Sequence, residues 1–256
     1  MIAFAIAAHP DDIEFLMAGT MLRLQHAGYE LHYMNVANGC CGTTQYERDE
    51  IAAIRAREGR DAAESIGAVF HPSICNDLEV FYELSLLRKL ASVIREVQPT
   101  IVLTHALSDY MEDHMNTARL AVTAAFSRGM PNFPVDPPRP HYLEPVTVYH
   151  AQPYTHHDPL GRLVLPQSYV DTADLLSQKT EMLSKHLSQK LWLDESQGHD
   201  SYLETLRSLD RELGRHSGVF KAAEGWTRHL PVGFCGADDD PLRDALGPHL
   251  HRAEDG

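Results

Sequence analysis

The first residues of the chain limit its fold more than any other feature. Ile2–Ala8 is an unbroken apolar run that ends at His9-Pro10. A short run that is apolar at every position is typical of a strand buried on both faces, as strands of a parallel sheet are. Because parallel sheets are covered by helices on both faces, we expect an α/β fold with strand one at its centre.

The segments that follow alternate between helical and strand patterns, and this alternation predicts right-handed βαβ units. The sequence predicts helices at Ile13–Ala27, Arg48–Ile66, Leu84–Val97 and His114–Phe126, and strands at Leu31–Val36, Ala68–Phe70 with Ser73–Cys75, and Thr100–Thr104. The fold class that follows is a Rossmann-like three-layer αβα sandwich with a mostly parallel sheet.

The pattern changes after Phe126. A Pro-rich stretch, Met130–Pro145, precedes a predicted strand at Val146–His150 and predicted helices at Thr172–Leu187 and Tyr202–Leu213. Because no Gly/Ser linker separates the halves, we expect one domain over residues 1–256, in which 1–127 form the core and 128–256 a helical elaboration.

Composition excludes several classes of protein. The net charge is −14, from 36 acidic and 22 basic residues, and no Lys/Arg cluster stands out, so a nucleic-acid partner is not expected. No stretch approaches the roughly 20 apolar residues of a membrane span. The cysteines, Cys40, Cys41, Cys75 and Cys235, show no CxxC spacing, which predicts neither a disulfide framework nor a cysteine zinc site. A reducing cytoplasm is the expected location.

Two polar segments follow predicted strands. His9-Pro-Asp-Asp-Ile-Glu14 comes after the first strand, and the segment from His105 to His114 comes after the fourth. Ligands of open parallel sheets bind at the carboxyl ends of the strands, so the two segments are expected to converge. A Gly-x-Gly-x-x-Gly turn is absent from the first segment, which argues strongly against a dinucleotide site.

Together the segments predict a metal site. His9, Asp12 and His114 supply the three ligands of a catalytic zinc, or of another divalent cation, and leave a fourth position open. Asp11 would then act as the general base. Two alternatives stay open: Asp11 or Asp12 caps the helix at Ile13, and His114 is a helix-start histidine without chemistry.

The same residues resemble a known family. Ala8-His-Pro-Asp-Asp-Ile-Glu14 is similar to the first motif of the PIG-L/LmbE zinc-dependent deacetylases, and Asp113-His114 resembles the end of their second motif. The segment from Ile54 to Gly67 is similar to the family's second helix. The resemblance covers residues 1 to about 125 and is loose beyond, apart from a segment from Gly218 to Gly225.

The resemblance implies a zinc-dependent N-deacetylase acting on N-acetylglucosamine-type conjugates. It implies His9, Asp12 and His114 as ligands, Asp11 as general base, and Arg55 as a residue that reaches substrate hydroxyls or a phosphate. A solvated helix charge paired with Glu58 or Glu50 is the alternative for Arg55. Relatives associate as trimers or hexamers, so the resemblance also implies a homo-oligomer.

Asp113 is placed with the catalytic residues because it is expected to orient a ligand, although it could instead cap its helix. His150 lies at the carboxyl end of a predicted strand and is a candidate substrate contact or proton donor. Tyr154, His156 and His157 lie in a polar loop that could close over substrate, whereas Glu224 and Trp226 are candidates for a sugar pocket or a structural role.

One position departs from the family pattern. Met111 stands where the family usually has a histidine that stabilises the oxyanion, and a thioether donates no hydrogen bond. Tyr110 or His105 is expected to take over that role. Two rival functions stay open. One is an amidase for a larger acyl or thiol-conjugate amide, because the same metal centre and base would serve both reactions. The other is a catalytically silent sugar-binding protein, which Met111 would explain.

Overall fold

The computed structural model describes residues 1–197 and 201–253. Within these ranges eight strands form one sheet in the order β3-β2-β1-β4-β5-β7-β6-β8. The strands are β1 Ile2–Ala7, β2 Glu30–Asn35, β3 Val69–His71, β4 Ile101–Thr104, β5 Thr147–Ala151, β6 Ser168–Asp171, β7 Ala223–Arg228 and β8 Leu250–Arg252. Neighbouring strands are parallel from β3 through β2, β1 and β4 to β5. The pairings β5–β7, β7–β6 and β6–β8 are antiparallel.

Helices cover both faces of the sheet. They are α1 Asp12–Leu16, α2 Ala18–His26, α3 Arg48–Ser65, α4 Leu84–Val97, α5 Glu112–Phe126, α6 Leu176–Leu183, α7 Leu187–Gln197, α8 Ser201–Ser217 and α9 Pro241–Leu246. The αβα sandwich and the mostly parallel sheet are therefore confirmed. Across the described residues, no helix combines the length and the apolar character needed to cross a membrane.

Strand β1 has a core on each side, as its sequence predicts. Ala3 and Ala5 pack into a core with α1, α2 and Trp226, whereas Phe4 and Ile6 pack into a second core with α4 and α5. Alternate side chains of a strand point to opposite faces, so the strand must be apolar throughout to satisfy both cores.

The predicted helix over Ile13–Ala27 is two helices. Met17 interrupts it with φ −137° and ψ −20°. The interruption leaves the N–H groups of Gly19 and Thr20 free to donate to the buried Glu224 carboxylate at 2.8 and 2.7 Å. Hydrophobic periodicity cannot predict such a break, because the acceptor lies about 200 residues away in the chain.

The second half contains more strand than predicted. The predicted helix Thr172–Leu187 is shorter, at Leu176–Leu183, and the predicted helix Tyr202–Leu213 extends over Ser201–Ser217. Strands β6, β7 and β8 were not predicted. They have three to six residues each, and so short a run carries little periodicity.

Candidate metal centre and active site

The two polar segments meet at the carboxyl edge of the sheet. Strands β1 and β4 are neighbours, with Ile6 opposite Thr104, and this register sets the loop after β1 beside the loop after β4. One nitrogen or oxygen atom from each of His9, Asp12 and His114 lies within 4.8 Å of the others. The three residues predicted as ligands are thus brought together.

Asp12 lies at the centre of this group. Its Oδ2 accepts the His9 backbone N–H at 2.8 Å and lies 3.4 Å from His114 Nε2 and 3.3 Å from His105 Nε2. Burial alone would raise the pKa of Asp12, but His114 and His105 outweigh burial and hold the pKa well below its usual value. Asp12 is therefore an ionised carboxylate facing imidazole nitrogens.

Two further carboxylates orient the histidine rings. His9 Nε2 donates to Asp113 Oδ2 at 2.9 Å, and His114 Nδ1 donates to Asp109 Oδ1 at 3.0 Å. These contacts leave His9 Nδ1 and His114 Nε2 on the side of Asp12. Such carboxylate–imidazole pairs are the usual support of metal-binding histidines.

No role was predicted for Asp109 from the sequence, although the structure gives it one. It is fully buried and its side chain accepts three hydrogen bonds, from His114, from the Met111 N–H at 3.2 Å and from the Tyr154 N–H at 3.4 Å. Its position in the loop after β4 was the available signal, but the sequence does not show that its side chain turns toward His114.

The donor set fits a divalent cation. Two imidazole nitrogens and a carboxylate are ligands that zinc accepts, and this set leaves a position open. Burial would lower the pKa of His9, but hydrogen bonds to Asp113 and Asp12 outweigh burial and raise the pKa to about 10. A site that stabilises added positive charge in this way would also stabilise a cation.

Asp11 occupies the N-cap position of α1, yet its side chain makes no capping hydrogen bond. Its backbone has φ 107°, a conformation that is strained for a residue with a Cβ. The carboxylate accepts a hydrogen bond from the Tyr202 hydroxyl at 2.8 Å. Burial raises the pKa of Asp11 to about 6, against the opposing effect of Arg55. The structure thus contradicts side-chain capping by Asp11.

Arg55 is not a solvated helix charge. It is 3% exposed, and its guanidinium donates to the Pro10 carbonyl at 2.6 Å and lies 3.8 Å from Asp11 Oδ2. Glu58, the partner considered for it, instead accepts hydrogen bonds from Ser188. Arg55 supports the loop that carries the predicted ligands and borders the cavity beside them.

A cavity of about 660 Å³ opens at these residues. The described residues that line it are His9, Asp11, Asp12, Phe15, Cys41, Gly42, Arg55, Asp77, Leu78, Tyr110, Met111, His114, Tyr154, Thr155, Gln189, Trp192, Leu193 and Tyr202. Its volume is in the range of small-molecule sites. Tyr110 and Tyr154, which were candidate substrate contacts, are at the cavity wall, and so is Met111.

His150 and His105 do not line this cavity. His150 pairs with Thr104 inside β5, and its ring contacts the His105 carbonyl at 2.8 Å and His229 Nδ1 at 2.9 Å. His105 is fully buried and its Nε2 accepts the Ala8 N–H at 2.8 Å. The structure therefore places His150 behind the site, where it supports His105.

Three other candidates have structural contacts. Trp226 is fully buried and donates to Thr20 Oγ1 at 2.8 Å, and Glu224 is buried beside Lys179. His156 contacts the Leu209 carbonyl at 3.1 Å. None of the three lines the cavity.

Comparisons with known proteins agree with the motifs. The sequence model of PIG-L, described as GlcNAc-PI de-N-acetylase, matches residues 4–125. The chain is 29% identical to diacetylchitobiose deacetylase of Thermococcus kodakarensis over 227 residues, which are 82% of this chain and 78% of the relative. It is 28% identical to 4-oxalmesaconate hydratase of Pseudomonas putida over 130 residues, 48% of this chain and 50% of that protein.

The fold agrees as well. The structure of N,N'-diacetylchitobiose deacetylase from Pyrococcus horikoshii, complexed with its inhibitor MPG, superimposes with a TM-score of 0.74. The identity is 23%, over 94% of this chain and 88% of that chain. The family match spans both loops that carry His9, Asp12 and His114. Over residues 4–125 the chain matches the PIG-L family model.

Proposed function

We propose that the protein is a metal-dependent amide hydrolase that removes an N-acetyl group from an N-acetylglucosamine-type amino sugar or its conjugate. The observation that carries the proposal is the convergence of His9, Asp12 and His114 beside the non-capping carboxylate of Asp11 at one cavity. The PIG-L family match and the diacetylchitobiose deacetylase relative support the same chemistry.

His9, Asp12 and His114 would hold the cation, which we propose is zinc. When bound, such a cation polarises the amide carbonyl and stabilises negative charge on its oxygen. Asp113 and Asp109 keep the two imidazole rings turned toward Asp12. These two carboxylates are positioning residues for the ligand set.

Asp11 is the proposed general base and, later, the proton donor. Its carboxylate accepts a proton from the attacking water and returns a proton to the leaving amine, and a pKa of about 6 suits both transfers. Burial and the nearby Asp11 raise the pKa of Tyr202 well above its usual value, so its hydroxyl stays a donor to Asp11. Tyr202 thereby fixes the orientation of the carboxylate.

Tyr110 is the proposed substitute for the family's oxyanion histidine. The Met111 side chain cannot donate a hydrogen bond, and His105 is buried away from the cavity. Tyr110 borders the cavity, and its ring packs edge-on against the His114 ring with 5.4 Å between centroids. Its hydroxyl, unlike the Met111 thioether, can donate a hydrogen bond.

The cavity wall suits an uncharged sugar. Among the described lining residues, Arg55 is the sole Lys or Arg, whereas Asp11, Asp12 and Asp77 are acidic. Apart from the proposed metal, the described wall thus offers a single cationic side chain to a polyanionic substrate such as the acid in the name of the hydratase relative. Tyr154 and Trp192 add aromatic faces on which a sugar ring can stack.

Acetate release tests the proposal. The protein is stripped of metal, reconstituted with zinc, and incubated with N-acetylglucosamine, N,N'-diacetylchitobiose and larger acyl-amide conjugates. We expect acetate from an N-acetyl sugar with zinc and none from the stripped protein. Release of a larger acyl group alone would favour the amidase. Sugar binding without any release, with zinc bound, would favour the silent binding protein that Met111 suggests.

Three further expectations remain predictions. The arrangement of eight strands in one sheet supports one domain over residues 1–256. The cytoplasmic location rests on cysteine usage. The homo-oligomer rests on the family resemblance.

A further inference from the structure

Two adjacent cysteines lie at the edge of the cavity, apart from the histidine site. Cys40 is buried and Cys41 is exposed, and their sulphur atoms are 3.9 Å apart. An Asp77 carboxylate oxygen joins them, so that the three ligand atoms lie within 4.8 Å of one another. Cys41 and Asp77 both line the cavity.

The sulphur separation matches metal coordination. In a tetrahedral zinc site with Zn–S bonds of about 2.3 Å, two thiolate sulphurs are about 3.8 Å apart. Adjacent side chains of an extended chain point in opposite directions. Here a turn closed by the Gly42 N–H and the Gly39 carbonyl at 3.3 Å brings both sulphurs to one side. The missing CxxC spacing argued against a cysteine zinc site, but residue spacing alone does not show this turn.

The third group is held in place. Asp77 Oδ1 accepts the Gly39 N–H at 2.6 Å, and Oδ2 accepts the Cys41 N–H at 2.9 Å. Each carboxylate oxygen keeps a second lone pair. Gly39 has φ +77°, and a Cβ there would come within 2.5 Å of the Arg55 side chain, so the loop backbone packs closely against Arg55.

We propose that Cys40, Cys41 and Asp77 form a second metal site that binds a thiophilic divalent cation, such as Cd²⁺ or Zn²⁺. Binding releases the two thiol protons to solvent, and the two thiolates and the carboxylate coordinate the ion. Because Cys41 and Asp77 line the cavity, an occupied site narrows the space beside Asp11 and Arg55. Metal beyond the first equivalent would therefore inhibit substrate entry.

Cadmium titration tests the second site directly. Reduced, metal-stripped protein is titrated with Cd²⁺ while bound metal and the ultraviolet thiolate-to-cadmium absorption are recorded. The wild type is expected to bind two equivalents of Cd²⁺, and one of the two should produce the thiolate-to-cadmium absorption. The double variant Cys40→Ser/Cys41→Ser should bind one equivalent of Cd²⁺ and show no thiolate-to-cadmium absorption. The matched cysteine control, Cys235→Ser, should behave as wild type. No thiolate absorption in the wild type, or its persistence in the double variant, would overturn the proposal.

His114→Ala separates this site from the proposed active site. That variant should lose the equivalent of Cd²⁺ bound at the proposed active site and keep the thiolate-to-cadmium absorption. A measurement on the unmodified chain guards against misfolding of the double variant: Cd²⁺ should protect the exposed Cys41 from iodoacetamide, as mass spectrometry of the labelled peptide would show. Unchanged alkylation of Cys41 at saturating Cd²⁺ would also refute the second site.

Discussion

Asp11 combines three properties that ordinary surface carboxylates lack. Its backbone has φ 107°, its side chain is buried, and its pKa is raised to about 6. Strained backbone persists only where the surroundings determine it, and here the Tyr202 hydroxyl and the Arg55 guanidinium constrain the carboxylate. These properties suit a group that exchanges protons, and they explain why its side chain does not cap α1.

Asp11→Asn should retain the cation and lose most turnover. The amide keeps the size of the side chain but cannot accept a proton, and general-base catalysis contributes about 100- to 10,000-fold. We expect a fall in kcat of that order with the zinc content of wild type, measured by acetate release and metal analysis on the same sample. Unchanged kcat would refute the assignment of the base.

Tyr202→Phe tests the orientation of Asp11 rather than its chemistry. The variant removes the hydrogen bond of 2.8 Å and keeps the ring. A hydrogen bond to a charged group is worth about 1.5–3 kcal/mol, which corresponds to a fall in kcat of about 10- to 100-fold. KM and metal content should change little.

Tyr82→Phe is the matched control for Tyr202→Phe. The Tyr82 hydroxyl contacts Thr123 Oγ1 at 2.9 Å, and its side chain is exposed outside the cavity. It should keep wild-type kcat and KM. Equal kinetics in both variants would show that Tyr202 does not position the base.

At the scale of elements, the loop after β4 and the start of α5 act as one unit. Helix α5 begins at Glu112, two residues earlier than predicted, so Asp113 and His114 lie in its first turn. The Asp113 carboxylate contacts His9, and the His114 ring contacts Asp12, both in the segment after β1. Asp109, in the loop after β4, accepts a hydrogen bond from His114. The proposed ligand set therefore depends on how this helix is anchored.

Asp109→Asn should weaken cation binding by about 10- to 100-fold, because outer carboxylates orient ligating histidines. The measurement is a competition of the stripped protein with a chelator for zinc. Glu112→Gln, a charge change at an exposed neighbour in the same first turn, should leave affinity unchanged. Equal zinc affinity in the two variants would contradict the role of Asp109.

The sequence predicted the elements whose causes are local. The uniform apolarity of Ile2–Ala8 predicted a doubly buried strand, which is observed at Ile2–Ala7. Helix Leu84–Val97 was predicted with its observed bounds, and both polar loops were placed at strand ends. These features depend on periodicity and chain order alone.

What the sequence could not predict depends on distant contacts. Tyr202 reaches Asp11 from the second half of the chain, and Glu224 accounts for the break at Met17. The position of His150 at the end of a strand predicted a substrate contact, but the register of β5 turns its ring toward His105 and His229. In each case a contact between residues far apart in the chain decides the outcome.

For the molecule as a whole, a buried polar network joins the antiparallel extension to the parallel half. Lys179 on α6 contacts both Asp210 on α8 and Glu224 on β7 at 2.7 Å, and all three are buried. Glu224 also accepts the two N–H groups at the start of α2. This one carboxylate connects β7, α2 and α6.

Glu224→Ala should therefore lower the free energy of unfolding and leave the proposed metal centre unchanged. Breaking a buried ion pair by removing one partner costs about 3–5 kcal/mol, and the freed N–H groups of Gly19 and Thr20 add to the loss because they are left without an acceptor. Denaturant titration of the reduced protein should show a fall of that size in the free energy of unfolding. Zinc content of the folded fraction should equal that of wild type.

The control for this change is Glu181→Ala, on α6 beside Lys179. Glu181 is 70% exposed at its side chain and lies 3.9 Å from Lys185, and an exposed pair of this kind contributes about 0–1 kcal/mol. If Glu224→Ala were no more destabilising than Glu181→Ala, the network would not hold the two parts of the sheet together. The break at Met17 would then need another cause, because the hydrogen bonds from the Gly19 and Thr20 N–H groups to Glu224 would not stabilise it.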